Sequence, residues 1–296
     1  MRGGSELRTP QRWSQVLAVC AVAALLAGCG SDAAVETNGA GTEGGLVAEN
    51  PSAVQVSLFV EPVPDDPDPA RRAGAAADFL ACDFGIADGG WSQDFGPPPS
   101  APDAAGGLEA FVGDGLFLLP PSGFVHAGSD EARRLFTYSF GGQVRAAVIV
   151  ADATEVPLDA SSGWVVETFA SCDPAEFDPS LDGELGVDVW QDADGRRVPV
   201  SIVRSAPGPE HCGWESVTFL TVEGARYVRD PGGVLSADFE IAEFDGDAEL
   251  PVDATDTGYS LDDRRIWRGA DRSVAFLVEA DRVEAWPSPG EPFGCG

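Results

Sequence analysis

Val54, Val56, Leu58 and Val60 alternate with Gln55, Ser57 and Phe59, and this period of two predicts a half-buried strand, ended by Pro62 and Pro64. Asp68-Pro69 then supplies an N-cap and a first-turn proline for a helix over Ala70 to Ala81, where Phe79 and Leu80 are the large apolar groups. Cys82 to Pro102 contains Gly89-Gly90 and Pro97-Pro98-Pro99 and reads as a long loop; Asp103 to Val112 reads as a second short helix. Strand patterns follow. Leu135 to Phe140 and Val144 to Val150 flank Gly141-Gly142, a dipeptide suited to the positive φ angles of a tight hairpin, and Trp164 to Ala170 continues in the same style.

Asp173 to Gly186 is rich in Asp, Pro, Glu and Gly, and marks a candidate boundary. Beyond it the apolar runs are shorter and the turn signals closer. Val187 to Trp190 and Val198 to Val203 flank Asp192-Ala193-Asp194-Gly195, and Phe219 to Val222 and Arg226 to Val228 flank Glu223-Gly224. Arg265 to Trp267, Val274 to Val278 and Val283 to Trp286 complete the series. The expected fold is α+β and predominantly antiparallel β. Two short helices lie near the N-terminus, and the β-rich C-terminal half forms a small sandwich, meander or open barrel. The division expected is an α+β domain over 53–178 and a β-rich domain over 179–296.

The first residues do not share this patterning. Arg2, Arg8 and Arg12 precede an apolar run from Val16 to Leu26, too short for the ~30 Å hydrocarbon core, which takes about 20 residues of helix. With Leu26-Ala27-Gly28-Cys29 at its end, the segment resembles the bacterial lipobox, [LVI]-[ASTVI]-[GAS]-Cys, at all four positions. That resemblance implies a lipoprotein signal peptide over 1–28, thioether attachment of a diacylglycerol to the Cys29 sulfur, and a place on the extracytoplasmic face of the cell membrane. Residues 29–52, with Gly39-Ala40-Gly41 and Gly44-Gly45, read as a flexible tether.

All 18 basic residues are arginine, against 49 acidic ones, and the net charge is −31. Nucleic acid is excluded as a partner, since phosphate binding needs clustered cations. Acidity of this size also opposes adsorption to anionic lipid or wall, so membrane attachment falls to the lipid on Cys29.

Outside the leader and Cys29 the cysteines are Cys82, Cys172, Cys212 and Cys295, and an even number outside the cytoplasm is expected to form disulfides. Three pairings are possible. If each half folds as its own unit, Cys82–Cys172 and Cys212–Cys295 follow. Glu210-His211-Cys212-Gly213-Trp214-Glu215-Ser216 groups a histidine, a cysteine, carboxylates and a hydroxyl. Neighbouring side chains on an extended backbone point apart, however, and a cysteine held in a disulfide has no thiolate to offer. Asp192-Ala193-Asp194-Gly195 imitates the middle of a calcium loop, but that register sets Trp190 and Ser201 at the end ligand positions, and a hairpin turn accounts for the same residues. His126 and His211 are the only histidines, too few for the usual zinc site. No metal or cofactor is implied. The tryptophans mostly fall inside apolar strand patterns and are expected in the core. Trp91 in its Gly-rich loop, His211 and Trp214 are the candidate binding residues.

Cys172-Asp173-Pro174-Ala175-Glu176-Phe177, Gly208-Pro209-Glu210-His211-Cys212-Gly213-Trp214, Glu284-Ala285-Trp286-Pro287 and Phe293-Gly294-Cys295 resemble segments of secreted or lipid-anchored proteins of high-GC Gram-positive bacteria. The likeness covers mainly residues 160–296 and implies no activity. Two readings follow. The first is a non-catalytic, lipid-anchored surface protein that binds a protein, wall component or small molecule. The second is a hydrolase or cation-dependent enzyme, which requires carboxylates such as Asp188, Asp192, Asp194 or Glu215 to converge on His211.

Overall fold

The computed structural model describes residues 47–48, 54–55, 57–63, 65–91, 99–113, 118–156, 162–235 and 242–289. In chain order these hold β1 (Val47–Ala48), β2 (Val54–Gln55), α1 (Pro69–Ala73), β3 (Ile86–Trp91), α2 (Ala104–Gly113), β4 (Phe124–Ser129), β5 (Arg133–Phe140), β6 (Gln143–Asp152) and β7 (Trp164–Cys172). There follow β8 (Asp188–Val189), β9 (Val203–Pro207), β10 (Thr218–Val222), β11 (Ala225–Arg229), β12 (Thr255–Leu261), β13 (Arg264–Arg268), β14 (Val274–Glu279) and β15 (Arg282–Pro287). The architecture is mostly antiparallel sheet with few helices. Cys29 and Cys295 lie outside the described residues, and so do the leader and nearly all of the tether. Among the described residues no helix is long and apolar enough to cross a membrane.

The first sheet runs β1-β4-β5-β6-β7-β3, with β2 also pairing β4; β1 and β2 are parallel to β4 and every other pairing is antiparallel. Ala146 to Ala151 on β6 is buried on both faces, as a near-continuous apolar run requires. Leu108 and Phe111 of α2 cover Val148, Val150 and Phe169 on one face, and Ala73, Ala75 and Ala76 cover Ala147, Ile149 and Ala170 on the other. Small residues let this second layer lie close. Asp68 caps α1 by accepting from the Ala70 amide at 3.0 Å, as the sequence predicts. The helix is α for one turn only, and continues as a 3-10 turn over Gly74–Phe79 instead of running on to Ala81.

Three strand assignments need correction. Among the described residues, the strand expected over Val54 to Val60 has ladder pairing at Val54–Gln55 alone, while Leu58 is buried and Phe59 and Val60 are exposed, so its alternation breaks. The expected loop over Cys82 to Pro102 contains β3, which pairs with β7 from Ile86↔Cys172 to Trp91↔Thr168. Glycine sits in that strand because a Cβ on Gly89 would come within 2.9 Å of the Pro69 carbonyl of α1. The strand expected at Val198 to Val203 begins instead at Val203, Pro199 being the acceptor of the turn that precedes it. By contrast, the Gly141-Gly142 hairpin forms, with φ of 62° and 79°, and Glu223-Gly224 does the same between β10 and β11.

The second sheet is β11-β10-β9-β8 and the third β12-β13-β14-β15. Val203, Leu220, Val222 and Tyr227 of the second share one core with Ile266, Ala275, Leu277 and Trp286 of the third, and Trp190 lies fully buried between them. The Asp/Pro-rich stretch after β7 is packed against both halves. Asp173 accepts from the Ala175 and Val200 amides, each at 2.9 Å. Arg197 reaches back to the Pro174 and Ala175 carbonyls and to Asp182.

Candidate functional site

Period-two geometry gives the second sheet two unlike faces. Val203, Ser205, Leu220, Val222 and Tyr227 point into the shared core, which leaves Arg204, Ala206, Phe219, Thr221, Arg226 and Val228 on the opposite face. The register lines up Val189, Arg204, Thr221 and Arg226 across all four strands. One end of that face is roofed by the loop from Gly208 to Val217. Gly208 donates to the Val217 carbonyl at 2.8 Å and thereby closes the loop. A Cβ on Gly208 would strike the Trp214 side chain at 2.7 Å, so the missing side chain lets the loop fold back. Trp214 then packs on Val217, Val228 and Leu235, its ring centroid 6.0 Å from that of Phe219.

What remains open is a groove of about 710 Å³, with Pro207, Pro209, Trp214 and Phe219 at the apolar end and Ser201, Arg204, Thr221 and Arg226 at the polar end. Arg204 and Arg226 are both exposed, and among the described residues neither makes an ion pair within 4 Å. Arg204 does act on Asp88. The oxygens of that carboxylate accept from the Gly89 and Leu118 amides at 2.8 and 3.1 Å. Burial pushes Asp88 above its ordinary value, and those two amides, Arg72 and Arg204 only partly offset it.

A second opening, about 350 Å³, lies at one end of the core between the second and third sheets. Several of its polar groups are engaged with one another. The Trp190 indole donates to Ser205 Oγ at 3.0 Å, and Ser205 donates to Asp188 at 2.5 Å. Ser205 is buried, 2 % exposed, and this chain of hydrogen bonds ties β8 and β9 to Trp190. Glu284 receives Arg229 at 3.0 Å, Trp286 at 2.9 Å and Arg282 at 2.7 Å. Burial pushes its pKa up, but these partners outweigh it and hold the carboxyl below the ordinary glutamate value.

The candidate residues from sequence are scattered. Trp91 ends β3 on a sheet edge instead of standing in a loop. His211 lies exposed in the 3-10 turn Glu210–Cys212, and Glu215 is exposed on the next. Asp192 spends its carboxylate on the Asp194 and Arg196 amides of its own turn, each at 2.9 Å, and Asp194 pairs with Arg196. Asp188 serves Ser205. Among the described residues no hydrogen bond or ion pair joins any of these carboxylates to His211. Trp214 alone of the three binding candidates lines the groove.

Cys82 and Cys172 form a disulfide, Cα atoms 5.3 Å apart. Glu176 lies near both sulfurs, but the sulfurs are bonded to each other and Glu176 accepts from the Asp83 and Phe84 amides at 2.7 and 2.8 Å. Cys212 is also disulfide-bonded.

Sequence reasoning missed the Arg204–Thr221–Arg226 row. Half of it was accessible, because a two-residue turn at Glu223-Gly224 sets Thr221 opposite Arg226 by counting outward. The other half needed β9, which the sequence set several residues early. No family model matches the chain, and neither a curated protein nor a solved structure is similar to it.

Proposed function

We propose that this chain is a lipid-anchored extracytoplasmic protein with a non-catalytic binding role, moored through a thioether on Cys29 and taking its ligand in the groove on the outer face of the second sheet. The second and third sheets serve as a small sandwich that holds this face rigid, and a Cys212–Cys295 bridge fixes the C-terminal segment beside it. The groove carries the reading. It combines an apolar end that excludes water with a few polar groups that orient a ligand, the usual make-up of a binding cavity. The placement of His211, Glu215 and the Asp192–Asp194 pair on three separate turns supports binding over catalysis.

The test uses full-length protein from cells fed labelled palmitate, purified in detergent. Label enters the natural chain and is lost in Cys29→Ser; an unlabelled natural chain overturns the anchor. For the groove, ligands found by thermal shift raise the melting temperature of the natural chain but not of Thr221→Trp, whose indole fills the space between the two arginines. Equal shifts in both proteins, or no ligand found at all, overturn the groove as the site.

A further inference from the structure

Most described arginines of this acidic chain find a carboxylate: Arg133 takes Glu167, Arg145 takes Glu176, Arg229 takes Glu284 and Arg268 takes Glu223. With 49 acidic residues to 18 basic ones, a guanidinium would be expected to meet an acid, yet among the described residues Arg204 and Arg226 make no ion pair within 4 Å, Arg204 acting on Asp88 only at longer range. Thr221 stands between them in register, so their Cα atoms are about 10 Å apart, two strand spacings of ~4.8 Å. Side chains of that length can both reach a group held over the central threonine. The same face continues, two residues along each strand, into Ala206 and Phe219 and then the Trp214 ring.

Resting on the groove reading above, we propose that the groove selects an anion: a carboxylate or phosphate held by Arg204 and Arg226 across the Thr221 hydroxyl, on a molecule whose apolar or aromatic body lies against Phe219 and Trp214. Guanidinium presents paired N–H donors whose fork matches both oxyanions, so two of them give charge-assisted hydrogen bonds and a fixed orientation. The apolar end supplies desolvation that strengthens those bonds. Over much of this surface an anion meets repulsion from the net charge of −31, against which two neighbouring guanidiniums in one groove stand out.

The probes are benzoate, phenyl phosphate and neutral benzyl alcohol, titrated calorimetrically into the full-length protein in neutral detergent. Either anion binds at least about tenfold more tightly than benzyl alcohol, its affinity falls as salt rises, and Arg204→Gln/Arg226→Gln removes this preference while leaving benzyl alcohol binding as it was. The tighter of the two anions tells carboxylate from phosphate. Equal binding of all three probes, abolished by Thr221→Trp but untouched by the arginine changes, overturns the anion assignment and keeps the groove. Anion binding that survives the double arginine change overturns the row as its site. Failure of both anions to bind at millimolar concentration overturns the proposal, and the thermal-shift comparison with Thr221→Trp then decides the groove separately.

Discussion

Arg145 on β6 and Arg204 on β9 are guanidiniums on sheet strands of the same chain, and their surroundings are opposite. Arg145 is 8 % exposed; it pairs with Glu176, reaches Asp83 at 2.7 Å and donates to the Ala81 carbonyl beside the Cys82–Cys172 bridge. Arg204 lies open on the outer face of the second sheet. In the first region charge is a buried fastening, tying the chain after the 3-10 turn to the strands it crosses. In the second, apolar packing between two sheets carries the fold, and Arg204 makes no ion pair within 4 Å among the described residues. Buried pairs of the first kind say how the protein holds together; the second kind is where a ligand is to be sought.

Breaking the first region should therefore be costly and should leave the second standing. Cys82→Ser/Cys172→Ser opens a loop with a sequence separation of 90, for which the chain-entropy relation gives a loss of about 4–5 kcal/mol. Guanidinium denaturation measures it, and hydrogen exchange on β9 to β11 should stay protected in the variant at low denaturant. A loss below about 1 kcal/mol would remove the disulfide from its place as the main fastening. Next in size is Glu176→Gln, which leaves the buried Arg145 guanidinium with only the largely exposed Asp83 as a carboxylate partner and should cost about 3 kcal/mol, whereas Arg145→Met/Glu176→Leu should recover most of it because the buried pair leaves together. Equal losses from the single and double changes would mean that the backbone amides of Asp83 and Phe84, not the charge, carry the effect.

Gly89→Ala should cost about 2 kcal/mol by overpacking β3 against α1, since the new methyl meets the Pro69 carbonyl at 2.9 Å and the Phe169 carbonyl at 3.2 Å. Thermal melting checks this, and a neutral result would mean that α1 can shift outward. Smaller still, Arg204→Gln should move stability by no more than about 0.5 kcal/mol, as for a surface change that breaks no pairing. A large loss there would make Arg204 a second Arg145 and end the contrast.

Legibility followed the locality of the cause. The two hairpin turns, the Asp68 cap and the apolar strands β6, β7, β10, β14 and β15 were readable because neighbours in sequence decide them. β3 was not, because Gly89-Gly90 imitates a loop and only the approach of α1, a tertiary fact, demands glycine there. β4 and β12 escaped for a similar reason: Phe124–Ser129 and Thr255–Leu261 carry too few large apolar residues to show alternation, and their neighbours in the sheets recruit them. Trp214 was singled out for its aromatic ring, and it does line the groove. Arg204 could not be found without the register of β9, and His211 drew notice from neighbours in sequence that the fold sends elsewhere.

Acid sharpens the same comparison in the gentlest way, as a change of slope rather than of midpoint. Asp88 and Asp173, which belong to the first region and its junction, are pushed up by burial despite the amides that face them. Each therefore takes its proton in the folded chain before it would in the unfolded one, so lowering the pH through that raised value adds stability. Glu284 lies the other way: its folded value is held below the ordinary one by Arg229, Trp286 and Arg282 against the cost of burial. Its contribution is complete above the unfolded glutamate value and is lost as the pH falls through the folded one. Glu223, held down first by its hydrogen bond from Arg268, behaves alike. As the pH falls below about 4, under the unperturbed glutamate value, hydrogen-exchange protection should drop in β11, β13 and β15 before it does in β6 and β7. Glu284→Gln should lower the neutral plateau of the melting temperature and flatten its acid limb, because it removes at neutral pH the contribution that acid would otherwise remove. If β6 and β7 open first, the buried pairs of the first sheet, not the arginine–glutamate contacts between the other two, are the acid-sensitive part of the molecule.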